Sequence, residues 1–473
     1  MQTVHCRNFG SKGSRGGLSS LNIIHVLENT TCRRYAMSQY VEIVRQKSES
    51  QRDLKMKLLQ VGSENMWMVA YESIVDWEET ILYIWNSGIA PEASYSDICS
   101  RLTGKEWSPE AMDELLQGQA VFIDAGGRHA FSFQGKLNTL TRAVSRPENE
   151  SMPYAPAIAF MEPLATNIGI LRKMINSPSL TAEGFQFTGV GNKEASLIYL
   201  TEHVDQELLQ QVKSALQKTS GKAIHNGQEL MQIFGYNRLE LLAPYYKTEV
   251  PSQAVSSMTN GRVLLMMDGE PVAYVLPLIF SDFIALEWDK QFPLLIMLAL
   301  RFLRLVSLLV ALLTPGLYVA LVSVNPETLR IELALSIATS RIGIPLPTFL
   351  EMLLLLIISE ISIEATQRLP KSIAGANTVI GGIVLGTAIV EAKLVSSLVI
   401  IVLSASVTAN FAFPNYLNTL VIRVMRCVIV VLSGIFGIYG LFAAFLAICL
   451  YACSIQRFGI PFMSFLASRK LGQ

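Results

Sequence analysis

The chain has very little with which to hold a metal, a phosphate or a disulfide framework. Its five histidines are dispersed without ligand spacing, and its six cysteines, Cys6, Cys32, Cys99, Cys427, Cys449 and Cys453, contain no C-x-x-C pair. That excludes zinc-finger and dithiol redox chemistry and fits a reducing compartment. There is no Gly-Lys-Ser/Thr phosphate loop, no G-x-G-x-x-G after an apolar strand and no G-x-S-x-G elbow, so neither an enzyme activity nor a cofactor or metal is expected. Charge is balanced at 38 basic against 38 acidic residues, which gives no electrostatic footprint for nucleic acid. Met1 to Ser20 lacks the apolar core of a secretory leader, so the N-terminal half is expected to stay in the cytoplasm.

What the chain has in excess is apolar sequence, placed asymmetrically. Hydrophobic residues make up 51% of the 473 positions and mean hydropathy is +0.38, too high for an ordinary soluble protein of this length. Only 15 of the Asp, Glu, Lys and Arg residues lie between Phe292 and Gln456. A polar module is therefore joined to a membrane module. The expected fold class is an α+β membrane protein, with a cytoplasmic module of two related α/β subdomains followed by an all-α bundle of about five transmembrane helices.

The polar half carries a repeat. Met68-Val69-Ala70-Tyr71 then Val75-Asp76 matches Leu197-Ile198-Tyr199-Leu200 then Val204-Asp205, each an apolar strand, a turn and an amphipathic helix. Gly118 and Gly261 then stand where a left-handed helix end precedes a buried strand, and Asp124 and Asp268 open hairpin turns into a second strand. Those matched turn positions explain the two aspartates better than catalysis does. The expected divisions are a basic, atypical segment 1–59, a first subdomain 60–145, a polar linker 146–164, a second subdomain 165–290, a transmembrane domain 291–456 and a tail 457–473.

A bilayer core needs about 20 apolar residues per helix, and five runs qualify: Leu305–Val324, Leu346–Ala365, Ile373–Val390, Leu394–Ala412 and Cys427–Ser454. The segment 328–342 is shorter and carries Arg330, Glu332 and Arg341, which suits a helix lying in the interface. With five crossings, Arg457 and the tail fall opposite the polar module. The basic residues then divide seven against six, which gives no orientation by the positive-inside rule. The second run holds Glu351, Glu360 and Glu364, with Arg368 four residues beyond Glu364. Such carboxylates cost several kcal/mol in lipid and need partners, and Arg368 is the nearest candidate within the chain, helices of neighbouring subunits being the others. In the third and fourth runs Asn377 and Glu391 share one stripe, and Ser404 and Thr408 lie on another. With Thr387 they are the candidates for an ion path, Glu391 being its acidic mouth, although small polar residues also serve helix packing.

From about Pro163 to Ser464 the chain resembles the A subunits of the GerA family of spore germinant receptors. The resemblance rests on Leu164 to Lys173, Pro315-Gly316-Leu317-Tyr318, the block from Glu351 through Glu360, Glu364-Ala365 and Arg368-Leu369-Pro370 to Glu391-Ala392, Pro414-Asn415-Tyr416, and Phe458-Gly459-Ile460-Pro461-Phe462. It departs at Leu356, where family members commonly carry an acid, and at Thr387, where they carry Gln. The resemblance implies a subunit of the spore inner membrane that self-associates into a ring-like oligomer. It also implies assembly with a transporter-like B subunit and a lipoprotein C subunit, and release of monovalent cations when nutrient binds. A second implication is a regulatory or scaffold membrane protein of the spore, like the related sporulation stage V protein AF.

Overall fold

The computed structural model describes residues 24–26, 39–126, 129–137, 158–187, 193–219, 240–369, 384–413 and 416–464, with single positions between 224 and 234 and at 375, 379 and 382. Residues 146–157 of the expected linker 146–164, and Asn377, lie outside the described residues. By internal contacts the chain forms two units, Met1–Thr139 and Leu140–Gln473.

In the first unit, α1 (Gln39–Ser50) precedes β2 (Leu54–Val61) and β3 (Glu64–Tyr71), with β1 (Ile24–Val26) paired outside β2. The sheet thus reaches back before residue 60, into the stretch expected to be an atypical basic segment. After α2 (Trp77–Asn86) and α3 (Tyr95–Arg101) come β4 (Lys105–Glu106), α4 (Asp113–Leu116), β5 (Gln119–Asp124) and β6 (Ala130–Gln134). The sheet order is β1-β2-β3-β5-β6-β4. Asp76 caps α2 by accepting the Glu79 N–H at 3.0 Å, the reason the Val-Asp pair stops the strand and starts a helix.

The second unit begins with α5 (Leu164–Ile175), β7 (Leu180–Phe187), β8 (Lys193–Leu200), α6 (Gln206–Thr219), β9 (Tyr246–Thr248), α7 (Pro251–Thr259), β10 (Val263–Met267) and β11 (Ala273–Leu276). Its sheet order, β7-β8-β10-β11-β9, repeats the β2-β3-β5-β6-β4 order of the first. Met68–Tyr71 and Leu197–Leu200 lie in the corresponding strands β3 and β8. Asp205 accepts the Glu207 N–H at 3.0 Å at the start of α6, as Asp76 does for α2. Asp268 accepts the Leu164 N–H at 3.0 Å, a structural use at the head of α5. Leu208, Leu209, Val212 and Leu216 of α6 are buried on the sheet, each worth about 1.5–3 kcal/mol.

The helical region follows α8 (Ser281–Ile284). It comprises α9 (Leu294–Val319) with a π-helical continuation Ala320–Val324, α10 (Ile331–Ser340), α11 (Thr348–Arg368), α12 (Leu385–Glu391), α13 (Ser397–Asn410) and α14 (Tyr416–Ser454). Among the described residues two helices are long and apolar enough to cross a membrane, Leu294–Val324 and Leu417–Ser454. None of α10 is buried, and its exposed Ile331, Leu333 and Leu335 suit an interfacial position.

The last helix is not one rod. Gly437 breaks it with φ 62° and ψ −139°, a conformation open to glycine. A Cβ on Gly440 would collide with the Leu432 carbonyl oxygen, whereas residues eight apart in a continuous helix stand about 12 Å apart. The chain therefore doubles back, and Asn325 Oδ1 accepts the freed Ile438 N–H at 3.1 Å. Both ends of α14 meet the second sheet: Leu417 and Phe458 pack on its apolar cluster, the Tyr451 hydroxyl accepts the Leu241 N–H at 3.0 Å, and Arg457 pairs with Glu240. A short hairpin, β12 (Gln456–Arg457) with β13 (Ile460–Pro461), then delivers Phe462, whose carbonyl accepts the Phe280 N–H at 2.8 Å. The expectation that Arg457 lies opposite the module is corrected, because the last apolar run goes out and returns.

Candidate functional site

The three carboxylates of α11 meet three different environments. Glu351, one turn into the helix, is fully buried. Its Oε1 accepts from Arg341 Nη2 at 2.8 Å and its Oε2 from the Ser396 backbone N–H at 2.9 Å, while Arg341 also meets the Thr348 hydroxyl. One charge pair thus pins the loop after α10 and the start of α13 to the head of α11. Met352, Leu355 and Leu356 pack beside it with Ile389, Val399 and Leu403, so Leu356 fills apolar space.

Glu360, 31% exposed, accepts from Arg426 Nη2 at 2.7 Å and Arg423 Nη1 at 3.2 Å, both on α14. Arg426 Nη1 also donates to the Ser406 hydroxyl at 3.2 Å, and Ser406 donates to the Ala311 carbonyl at 2.8 Å. A single polar chain therefore runs from α11 through α14 and α13 to α9. Glu364 pairs with Arg368 at 2.8 Å, and both side chains are more than half exposed. The expectation of Arg368 as the near partner holds for Glu364 and is corrected for Glu360, whose partners come from 63 and 66 positions away. Reading the sequence missed Arg423 and Arg426 as members of the acidic network. Their signal was present: two arginines three apart, on one face of the helix that opens the last apolar run.

The ion-path candidates lie apart from this network. Thr387 and Glu391 of α12 are exposed, whereas Ile389 between them is buried. On α13, Ser397, Ser404 and Thr408 form an exposed stripe opposite the buried Val399, Leu403, Ser406 and Asn410. Ser404 also lines a cavity of about 450 Å³ between α11, α12 and α13, together with Ser359, Ser362, Thr366 and Gly386. The described candidates are thus exposed in the single chain, Thr387 and Glu391 one turn apart on α12 and Ser404 and Thr408 one turn apart on α13.

In the second subdomain Arg262 is buried against both oxygens of Asp282 at 2.9 Å. Burial pushes the Asp282 carboxyl up, and Arg262 with the Ile279 N–H opposes that rise. The pair fastens the turn before α8 to β10. Among the described residues no group of three His, Cys, Asp or Glu is gathered as metal ligands would be.

The profile of the Bacillus/Clostridium GerA spore germination protein family matches residues 41–473. Spore germination protein B1 of Bacillus subtilis (strain 168) is 31% identical over 312 residues, which cover 66% of this chain and 64% of that protein. Spore germination protein GerLA of Bacillus cereus is 27% identical over 359 residues, covering 76% and 73%. Spore germination protein A1 of Bacillus subtilis (strain 168) is 28% identical over 360 residues, covering 76% and 74%. The crystal structure of the N-terminal domain of the A subunit of the Bacillus megaterium spore germinant receptor GerK3 aligns with 55% of this chain and 99% of its own, at 17% identity and a TM-score of 0.36.

Proposed function

The chain belongs to the GerA spore germination protein family, and from that premise we propose that it is the oligomeric, ion-conducting A subunit of a nutrient-responsive receptor. Its partners are a transporter-like B subunit and a lipoprotein C subunit, and nutrient binding opens a path for monovalent cations out of the spore. The observation that carries this reading is the sorting of polar groups in the helical region. Glu351 and Glu360 are turned inward and neutralised by arginines. Uncharged Thr387, Ser404 and Thr408 and the acid Glu391 stay uncovered in the single chain. Polar side chains at membrane depth need protein or water around them, so these stripes suit the faces between copies and the water between them. The stage V AF-like scaffold reading predicts no such path.

We further infer six crossings rather than five, in the inner membrane of the spore with the α/β module on the cytoplasmic side. Arg304 donates to the Ile284 carbonyl at 2.8 Å, so α9 starts beside the second sheet and ends at Asn325, next to Gly437. Phe349 packs against Gly434 while Glu360 meets Arg423 and Arg426, so α11 runs back toward the module. Glu391 and Lys393 belong to the far end again, where Lys393 lies beside Gly343, and α13 returns to meet Thr419. The doubled α14 adds two more passes. Described basic residues at the module end are then Lys290, Arg301, Arg304, Arg368, Arg423, Arg426 and Arg457, against Arg330, Arg341 and Lys393 at the far end. Seven against three supports a cytoplasmic module by the positive-inside rule.

The test is nutrient-triggered potassium release from spores carrying Glu391→Leu or Thr387→Leu, with protein level checked by immunoblot. Loss of release at normal protein level is expected for Glu391→Leu. Normal release from both variants returns these residues to helix packing and favours the scaffold reading.

A further inference from the structure

The cavity between α11, α12 and α13 is graded along its length. Its lining on α11 runs from Leu355 to Gln367, about 18 Å at the helical rise per residue. One leaflet of the hydrocarbon core is about 15 Å deep. Leu355, Ile358, Ile389, Ile400 and Leu403 line one end, whereas Thr366, Gln367 and Phe411 line the other. The polar end is the module end of α11, where Glu364 and Arg368 stay more than half exposed. No charged side chain stands among the described lining residues, and two of the hydroxyls are already spent. Ser359 donates to the Leu356 carbonyl and Thr366 to the Ser362 carbonyl, each at 2.8 Å, so the wall is less polar than its residue types alone would make it. The back of the cavity is set by glycine. A Cβ on Gly382 or Gly386 meets nothing within 4 Å, so the space is open up to the backbone. Thr387, Glu391 and Thr408 do not line it, and only Ser404 is shared with the exposed stripes.

We propose that this cavity holds one acyl chain of a membrane lipid from the module-side leaflet, its methyl end against Leu355, Ile389 and Leu403 and its ester group level with Thr366 and Gln367. The volume of about 450 Å³ is that of a ligand pocket lined mainly by apolar groups. A chain fits it because the length matches one leaflet and the apolar end points to the bilayer midplane. Ser362 has no hydrogen-bond partner among the described residues, which leaves a hydroxyl for the ester carbonyl, whereas a compact polar ligand finds too few free groups to replace its water. The lipid fills the space between α12 and the other two helices with a fluid chain in place of packed side chains. The proposal rests on these helices crossing the membrane and not on the conduction of ions.

The full chain is reconstituted into nanodiscs containing a phosphatidylcholine that bears a diazirine either beside the ester group or near the chain end, and the photolabelled residues are mapped by mass spectrometry. The chain-end probe is expected to label Leu355, Ile358 and Leu403, and the ester-proximal probe Thr366 and Gln367. Leu446 and Leu450 of α14, both more than half exposed, report ordinary contact with the bilayer. Gly386→Leu places a side chain in empty space and is expected to lose the cavity label while keeping the label on Leu446 and Leu450. Should that variant fail to fold, the order of the two probes along the wild-type cavity decides. A wild-type chain labelled at Leu446 and Leu450 but not in the cavity overturns the proposal and leaves protein, such as a neighbouring copy, as the occupant. A reversed order of the probes, or a Gly386→Leu variant labelled like the wild type, overturns it as well. Absence of label at Leu446 and Leu450 too removes the membrane crossings along with the site. Potassium release plays no part in the readout, so a chain that does not conduct still shows the label.

Discussion

Replacing Glu351 by Leu is the sharpest test of what holds the helical region together. The carboxylate is fully buried, and its partner Arg341 is 21% exposed, so most of the guanidinium is left unpaired inside protein when the acid is removed. Breaking a buried pair from one side costs about 3–5 kcal/mol, and the Ser396 N–H loses its acceptor as well, a loss of about 1–3 kcal/mol for a buried donor. Residual solvent at Arg341 reduces the first figure, so the expected total is about 3–5 kcal/mol. The measurement is reversible unfolding in mixed detergent micelles, followed by far-ultraviolet circular dichroism. Two further variants separate charge from shape. Glu351→Gln keeps an acceptor for Ser396 and is expected to lose less than Glu351→Leu. Arg341→Met combined with Glu351→Leu removes the orphaned cation, and is expected to recover about 2 kcal/mol of coupling. A Glu351→Leu protein within about 1 kcal/mol of wild type, or a double variant no more stable than the single one, would refute the assignment of the pair as the clamp.

Glu364→Ala is expected to change stability by under about 1 kcal/mol, since its partner Arg368 is exposed and such pairs are worth little; unfolding in the same micelles checks it. Asp76→Ala and Asp205→Ala each remove a helix cap and are expected to cost about 1 kcal/mol, read in a denaturant titration of the purified chain. For topology, single cysteines at Tyr439 and Arg457 in a cysteine-free background are probed with a membrane-impermeant maleimide on intact cells. Labelling at 439 and protection at 457 is expected, and labelling at 457 removes the sixth crossing.

The parts of the fold that were legible in the sequence are those fixed locally. Strand, Val-Asp and amphipathic helix follow one another around Asp76 and again around Asp205 because the capping carboxylate and the apolar period of α6 act within a few residues. Gly118 and Gly261, at φ 86° and 83°, mark the same helix end in both halves. What stayed hidden was long-range. No local signal distinguishes Gly437 from the other glycines of the last run, so a single long helix was the natural reading. The fold-back becomes visible only through Asn325 and Leu432. Likewise Glu360 showed its need for a cation but not which one, since Arg423 and Arg426 reach it only once α14 is packed on α11. For Asn377 there is no structural comparison, as it lies outside the described residues.

The division between charged and uncharged polar groups has a mechanical consequence. Among the described contacts Glu360 pairs with Arg423 and Arg426 of α14, and Glu351 holds Arg341 of the loop after α10 and the Ser396 N–H at the start of α13, so moving α11 relative to α13 or α14 requires those contacts to break or to travel together. At several kcal/mol each, breaking is a poor step for a gate that responds to ligand, because a ligand shifts an equilibrium only by its differential affinity for the two states. The exposed stripes of α12 and α13 carry no such cost. Thr387, Ser404 and Thr408 exchange one hydrogen-bond partner for another with little net change, and Glu391 sits at a helix end where water reaches it. If the chain conducts ions as proposed, the conducting change is therefore expected to move α12 against a rigid assembly of α9, α11 and α14. Disulfide-linking α11 to α14 should leave potassium release intact, whereas linking α12 to α13 should stop it.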